Sequence, residues 1–76
     1  MNPKALFGAN VRRFRRERGF TQKDLATRTG FHPTYVGGVE RGERGERNIT
    51  LGNMTAMAVA LRVTLAELVA GIPRPE

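Results

Sequence analysis

Residues 20–43 read FTQKDLATRTGFHPTYVGGVERGE, and the order of caps, apolar positions and glycines in this stretch decides the fold. Thr21 is a capping residue with Asp24 three positions on, the spacing at which side chain and backbone satisfy each other at a helix start. Leu25 and Ala26 then open a buried face, so a helix is predicted from about Gln22 to Thr29. Gly30 stands where that periodicity stops, the usual place for a residue that takes positive φ. Pro33 suits the first turn of a following helix. Val36 and Val39 give that helix its apolar pair, and it is predicted to run to about Arg41.

Two short helices joined by a three- or four-residue turn have the dimensions of a helix-turn-helix, here over about residues 22–41. The geometry needs a small residue where the second helix crosses the first, a turn residue free to take positive φ, and apolar residues facing the body. Ala26, Gly30 and the Val36/Val39 pair meet these demands at consistent spacing. Many helical hairpins meet them too, so the pattern narrows the reading without closing it.

Outward from this stretch, Asn2 and Pro3 form a cap and first turn. Phe7, Val11 and Phe14 follow at helical spacing, predicting a helix from about Pro3 to Arg18. Downstream, Thr50 precedes Leu51, Met54, Met57, Ala58 and Leu61, a stripe at three- and four-residue spacing. Its Met54, Met57 and Ala58 read as core and not as a cofactor box. Thr64 pairs with Glu67 in a second capping pattern, and Gly71 with Pro73 ends the last helix. Alternation at period two never persists for five residues, so no strand competes. The expectation is one all-α domain of five helices over residues 1–76.

Seventy-six residues suffice for one small domain, which buries only about 60% of its unfolded surface. Cysteine is absent, so disulfides and thiolate metal sites are excluded, leaving self-association as a source of added stability. Val63, Leu65, Leu68, Val69 and Ile72 exceed what one short terminal helix needs to dock. They are the candidate dimer interface, in a region of about 61–72. No apolar run approaches the roughly 20 residues of a membrane span, and the N-terminus lacks the apolar core of a secretion signal. The expectation is a soluble, cytoplasmic protein with no membrane partner.

The net charge is +6, carried by eleven arginines and two lysines against seven carboxylates. Arginine keeps its charge and forks onto phosphate, which makes a polyanionic partner plausible. Charge alone leaves nucleic acid, an acidic membrane surface and simple solubility all open. With one histidine and no carboxylate pair at acid–base spacing, nothing is arranged to bind metal or activate a nucleophile. Neither enzymatic activity nor a cofactor is expected.

The run from Phe20 to Glu43 resembles the Xre family, the phage Cro and repressor-type helix-turn-helix domains. The segments YVGGVERGER (35–44) and RNITL (47–51) look most like the controller proteins of restriction-modification systems. The resemblance covers about residues 5–70 and rests on Gln22, Ala26, Gly30, Val36, Val39 and Glu40. It implies a five-helix lambda-repressor-like domain that binds double-stranded DNA, usually as a homodimer on a palindromic operator. Relatives use the glutamine matching Gln22 to grip a phosphate, and helix N-termini favour anions in any case. Relatives also pair an arginine at Arg15 with the glutamate matching Glu40. On the first helix Arg15 borders the apolar stripe, so the pair reads as structural, while Arg12, Arg13 and Arg16 face solvent.

Pro33, Thr34, Tyr35, Gly37 and Gly38 lie off the valine face and so can point at a groove, with Thr34 and Tyr35 the best candidates for contact. His32, Gly38 and Arg41 complete the candidate surface. Many controller-like relatives have arginine where this chain has Pro33, and arginine on guanine is the commonest specific contact. A glycine inside a helix costs about 1 kcal/mol relative to alanine. Gly37 and Gly38 are tolerable in a helix pressed against a groove or a neighbouring group; the alternative is drift in a helix held by packing. GERGER, residues 42–47, is either a solvated loop or a phosphate contact through Arg44 and Arg47. An activator would also need a surface for RNA polymerase, for which the loop after the third helix is the candidate. A protein-interaction module of the same fold, such as an antitoxin, is the alternative function.

Overall fold

The structure is a computed structural model that describes residues 2–42 and 49–72. Five helices follow one another: α1 Pro3–Glu17, α2 Gln22–Thr29, α3 Pro33–Glu40, α4 Leu51–Leu61 and α5 Leu65–Leu68. The described residues contain no strand. Each helix start carries a side-chain acceptor for a backbone N–H that has no partner within the helix. Asn2 accepts from the Lys4 amide at 3.0 Å, and Thr50 from that of Asn53 at 3.0 Å. Thr21 and Thr64 accept from the amides of Asp24 and Glu67, each at 3.0 Å. Asp24 and Glu67 return the bond to the threonine amides at 2.8 and 3.0 Å. The two capping boxes are complete.

The helix ends differ from expectation by small amounts with clear causes. α1 stops at Glu17 and α3 at Glu40, because Arg18 and Arg41 serve as their C-caps. α5 is a single turn ending at Leu68 and does not reach Gly71; Val69 leaves helical geometry at φ −101°, ψ 9°. α4 ends on Arg62 at φ 58°, a left-handed conformation unusual for a residue with a Cβ.

The core gathers Phe7, Val11 and Phe14 of α1, Leu25 and Ala26 of α2, and Val36 and Val39 of α3. Met57, Ala58 and Leu61 of α4 and Leu68 of α5 complete it. Two expectations are corrected here. Leu51 is 64% exposed, because it is the first residue of α4 and stands beyond the packed face. Leu68, expected at an interface with a second copy, is fully buried inside the chain. Val63, Leu65, Val69 and Ile72 stay partly exposed.

α1 also supplies polar side chains to the exposed ends of later elements. Asn10 Nδ2 donates to the carbonyls of Leu68 and Ala70, both at 2.9 Å. Arg18 Nε donates to Leu61 O at 2.7 Å, and Arg15 NH1 to Phe20 O at 2.7 Å. The carbonyls of Leu61 and Leu68, which lie at the C-terminal ends of α4 and α5 where helix geometry provides no partner, are thereby satisfied.

At Gly8 the backbone of α3 lies directly against α1. A Cβ placed there would lie 2.1 Å from Val39 O and 2.8 Å from Glu40 O, so the backbone of α3 occupies the space a side chain would need. Gly8→Ala is expected to cost roughly 3 kcal/mol, the upper part of the range for overpacking, because backbone must move. Urea unfolding would show this as a lowered midpoint with little change in slope.

The capping boxes contribute to the dependence of stability on pH. Hydrogen bonds from the Thr21 backbone and side chain hold Asp24 below its ordinary pKa, and those from Thr64 do the same for Glu67. Depressed folded-state values mean the unfolded chain binds more protons, so this stability is complete above the ordinary carboxylate range and lost as pH falls through it. Thermal melting between pH 6 and pH 2, at roughly those bounds, should show a drop that is shallower in Thr21→Ala and Thr64→Ala variants.

Candidate nucleic-acid interface

α2, the turn and α3 are held by a short chain of backbone constraints. The Gly30 amide donates to Ala26 O at 2.8 Å while Gly30 sits at φ 79°, which a residue with a Cβ adopts only at a cost. The chain then re-enters a helix at His32, whose Nδ1 accepts from the Thr34 amide at 3.1 Å. His32 is thus the N-cap of α3, a role the sequence reading did not give it. Val36 and Val39 are buried, which fixes the opposite side of α3 outward. At about 100° per residue that outer stripe is Thr34, Gly37, Gly38 and Arg41.

Tyr35 lies between the two sides. It is half-buried, its ring meets Phe31 edge-on with centroids 5.1 Å apart, and its hydroxyl accepts from Asn53 Nδ2 at 3.0 Å. That bond uses a lone pair of the hydroxyl oxygen, which can still donate its own proton to an acceptor. Tyr35 therefore does not lie wholly on the outer face, as its position in the helix suggested; it links α3 to α4. Asn53 was missed in the sequence, although a lone amide in an apolar helix was the available signal. Pro33 and Thr34 are exposed at the start of α3, and Gly38 is partly exposed.

Glu40 closes the other end of the helix. Its carboxylate accepts from Arg15 Nε at 2.6 Å, Arg15 NH2 at 2.9 Å and Gln22 Nε2 at 3.2 Å. The side chains of Arg15 and Glu40 are 11% and 3% exposed, so this is a largely desolvated, bidentate pair. The hydrogen bond to Glu40 raises the pKa of Arg15 against the opposing effect of burial. Gln22, at the first position of α2, is held by its amide nitrogen and so has its oxygen turned toward α3. A Cβ on Gly37 would lie 3.4 Å from Gln22 Oε1 and 3.0 Å from Arg41 NH1. Gly37, although on the outer side of α3, is buried beneath these two side chains.

Arg12, Arg13 and Arg16 are exposed on α1, with Arg13 stacked on Phe14 at 4.6 Å. Arg28 stacks on Phe20 at 4.1 Å. Arg44 and Arg47 lie outside the described residues, as does most of the loop considered for a polymerase contact. Among the described residues no group of three or more His, Cys, Asp or Glu side chains could hold a metal, and no helix is long and apolar enough to cross a membrane.

A family profile described as "Helix-turn-helix" (HTH_3) matches residues 11–68, from the middle of α1 to the end of α5. The chain belongs to that family. Among helix-turn-helix relatives it is 42% identical over 69 residues to an uncharacterized HTH-type transcriptional regulator, y4dJ, of Sinorhizobium fredii, covering 91% of this chain and 86% of the other. It is 38% identical over 68 residues to the control protein C.SmaI of Serratia marcescens, covering 90% and 77%. The crystal structure of the restriction-modification controller protein C.AhdI from Aeromonas hydrophila superposes with a TM-score of 0.77 at 40% identity, covering 86% of this chain and 94% of that one. The chain is a helix-turn-helix transcriptional regulator closely related to restriction-modification controller proteins.

Glu40→Ala would strand Arg15 in a desolvated site, which costs about 3–5 kcal/mol when one partner of a buried pair is removed. Chemical denaturation should show a loss of that size, and a double variant with apolar residues at both positions should recover much of it.

Proposed function

We propose that the chain acts as a homodimer on a palindromic DNA operator, placing α3 of each copy in successive major grooves. The observation that carries this reading is the fixed orientation of α3. Its valines are buried, its last turn is clamped by Glu40 to α1 and α2, and the side opposite the valines, with Thr34 exposed and Gly38 partly exposed, is turned away from the core. A rigid helix with one free face and a surplus of arginine suits a groove lined by phosphate. The second amide N–H of Gln22, beyond the one given to Glu40, and the Tyr35 hydroxyl would donate to phosphate oxygens beside that groove.

The C-terminal part supplies the second copy's surface. Val59 is 73% exposed, and Val63, Leu65, Val69 and Ile72 are partly exposed around the α4–α5 turn. Pairing there by a two-fold axis would bury apolar surface that a small domain otherwise leaves wet. Half-site centres would then lie about 34 Å apart. The names of the relatives, control proteins C.SmaI and C.BamHI, support an operator at a restriction-modification locus.

Selection from random duplexes should return a palindrome, and affinity for it should fall steeply with salt, by about 0.9 in log–log slope for each phosphate neutralised. A salt-independent affinity, or the absence of any palindromic preference, would defeat the reading. Val59→Asp should shift sedimentation toward monomer and weaken operator binding while leaving the helical content intact.

A further inference from the structure

α4, LGNMTAMAVAL, carries no charged residue, and Asn53 and Thr55 are its only polar side chains. Thr55 is exposed and donates its hydroxyl to Leu51 O at 2.8 Å, a bond within its own helix. Asn53 is partly buried and reaches out of its helix to α3, where its Nδ2 donates to the Tyr35 hydroxyl oxygen at 3.0 Å. Both ends of this bond are held. Asn53 lies in the first turn of α4, with its backbone amide given to Thr50 Oγ1 at 3.0 Å. The Tyr35 ring is half-buried and set edge-on to Phe31, with an interplanar angle of 71°.

The direction of this bond matters more than its strength. A phenol hydroxyl has one proton to give and two lone pairs that receive, whereas an amide nitrogen only donates. With Asn53 as the donor, the Tyr35 proton cannot be spent on that nitrogen. A phosphate oxygen only accepts, so it pairs with the hydroxyl only while that proton is still on offer. An acceptor at position 53 would draw the proton inward and leave lone pairs facing the phosphate. We propose that Asn53 is a positioning residue for DNA binding: from α4 it occupies a lone pair of the Tyr35 oxygen and so keeps the hydroxyl proton for a phosphate. The inference rests on the DNA-binding reading above and adds a residue outside the helix-turn-helix that acts through one inside it.

The test uses the palindromic duplex selected by the wild-type chain. Binding is measured for Asn53→Ala, Asn53→Asp and Tyr35→Phe, and for each Asn53 variant combined with Tyr35→Phe, with folding checked by thermal melting. Asn53→Asp should melt no lower than wild type near neutral pH, because an acidic residue suits the first turn of a helix, yet its carboxylate accepts where the amide gave. Tyr35→Phe should bind about tenfold more weakly, the size of one hydrogen bond to a charged group. Asn53→Asp should lose that factor on top of the cost of its added charge, and only the charge cost should remain in the Tyr35→Phe background. Asn53→Ala adds no charge and should lose a smaller factor, which also vanishes in that background. Tyr35 is the single tyrosine of the chain and tryptophan is absent, so the tyrosine doublet in the Raman spectrum of the free protein reports this hydroxyl alone. It should show an oxygen that accepts in wild type and a hydroxyl that only donates in Asn53→Asp. A donor-only signature in wild type, or Asn53 losses of equal size with and without the Tyr35 hydroxyl, overturns the proposal. So does an unchanged affinity in Tyr35→Phe, and in each of these cases the regulator reading stands. A wild-type chain that selects no sequence overturns both.

Discussion

The carboxylate of Glu40 is the point on which three helices depend. It belongs to α3, accepts two N–H bonds from Arg15 of α1 and one from Gln22 of α2, and sits almost fully out of water. A desolvated ion pair gains little net free energy over a well-packed apolar substitute, because removal from water offsets most of the attraction. What it supplies is direction. A bidentate fork has one satisfactory geometry, and three bonds to two oxygens leave the end of α3 little rotational freedom. An apolar contact in the same place would tolerate sliding, and the outer stripe would slide with it.

Gly8 complements this clamp. Hydrogen bonds can orient α3 only if α1 comes close enough, and the approach is set by the absence of a side chain facing Val39 O and Glu40 O. The pair and the glycine therefore act together: one permits contact between the helices, and the other fixes its angle. The small apolar core beneath supplies most of the driving force, through side chains from all five helices.

Much of this was legible in the sequence because it is local. Thr21 with Asp24 and Thr64 with Glu67 lie three residues apart, and a cap is decided within one turn. Gly30 stops a helix for reasons contained in its own backbone. The features that escaped are those made by distant partners. Gly8 drew no reading from the sequence, because the backbone that lies against it belongs to α3, some thirty residues on. Leu68 looked like surplus surface because nothing in its neighbours shows that α1 and α4 close over it. Tyr35 was assigned to the outer face by spacing alone, whereas Asn53, eighteen residues later, draws it toward α4. Gly37 was noticed for its cost, but its burial depends on where two long side chains lie.

Asn10 bonds the carbonyls of Leu68 and Ala70, at separations of 58 and 60 residues. The segment after α5 is thereby tied to the same helix whose Gly8 lies against the backbone of α3, so a load applied at one surface of the domain is passed through α1 to the other.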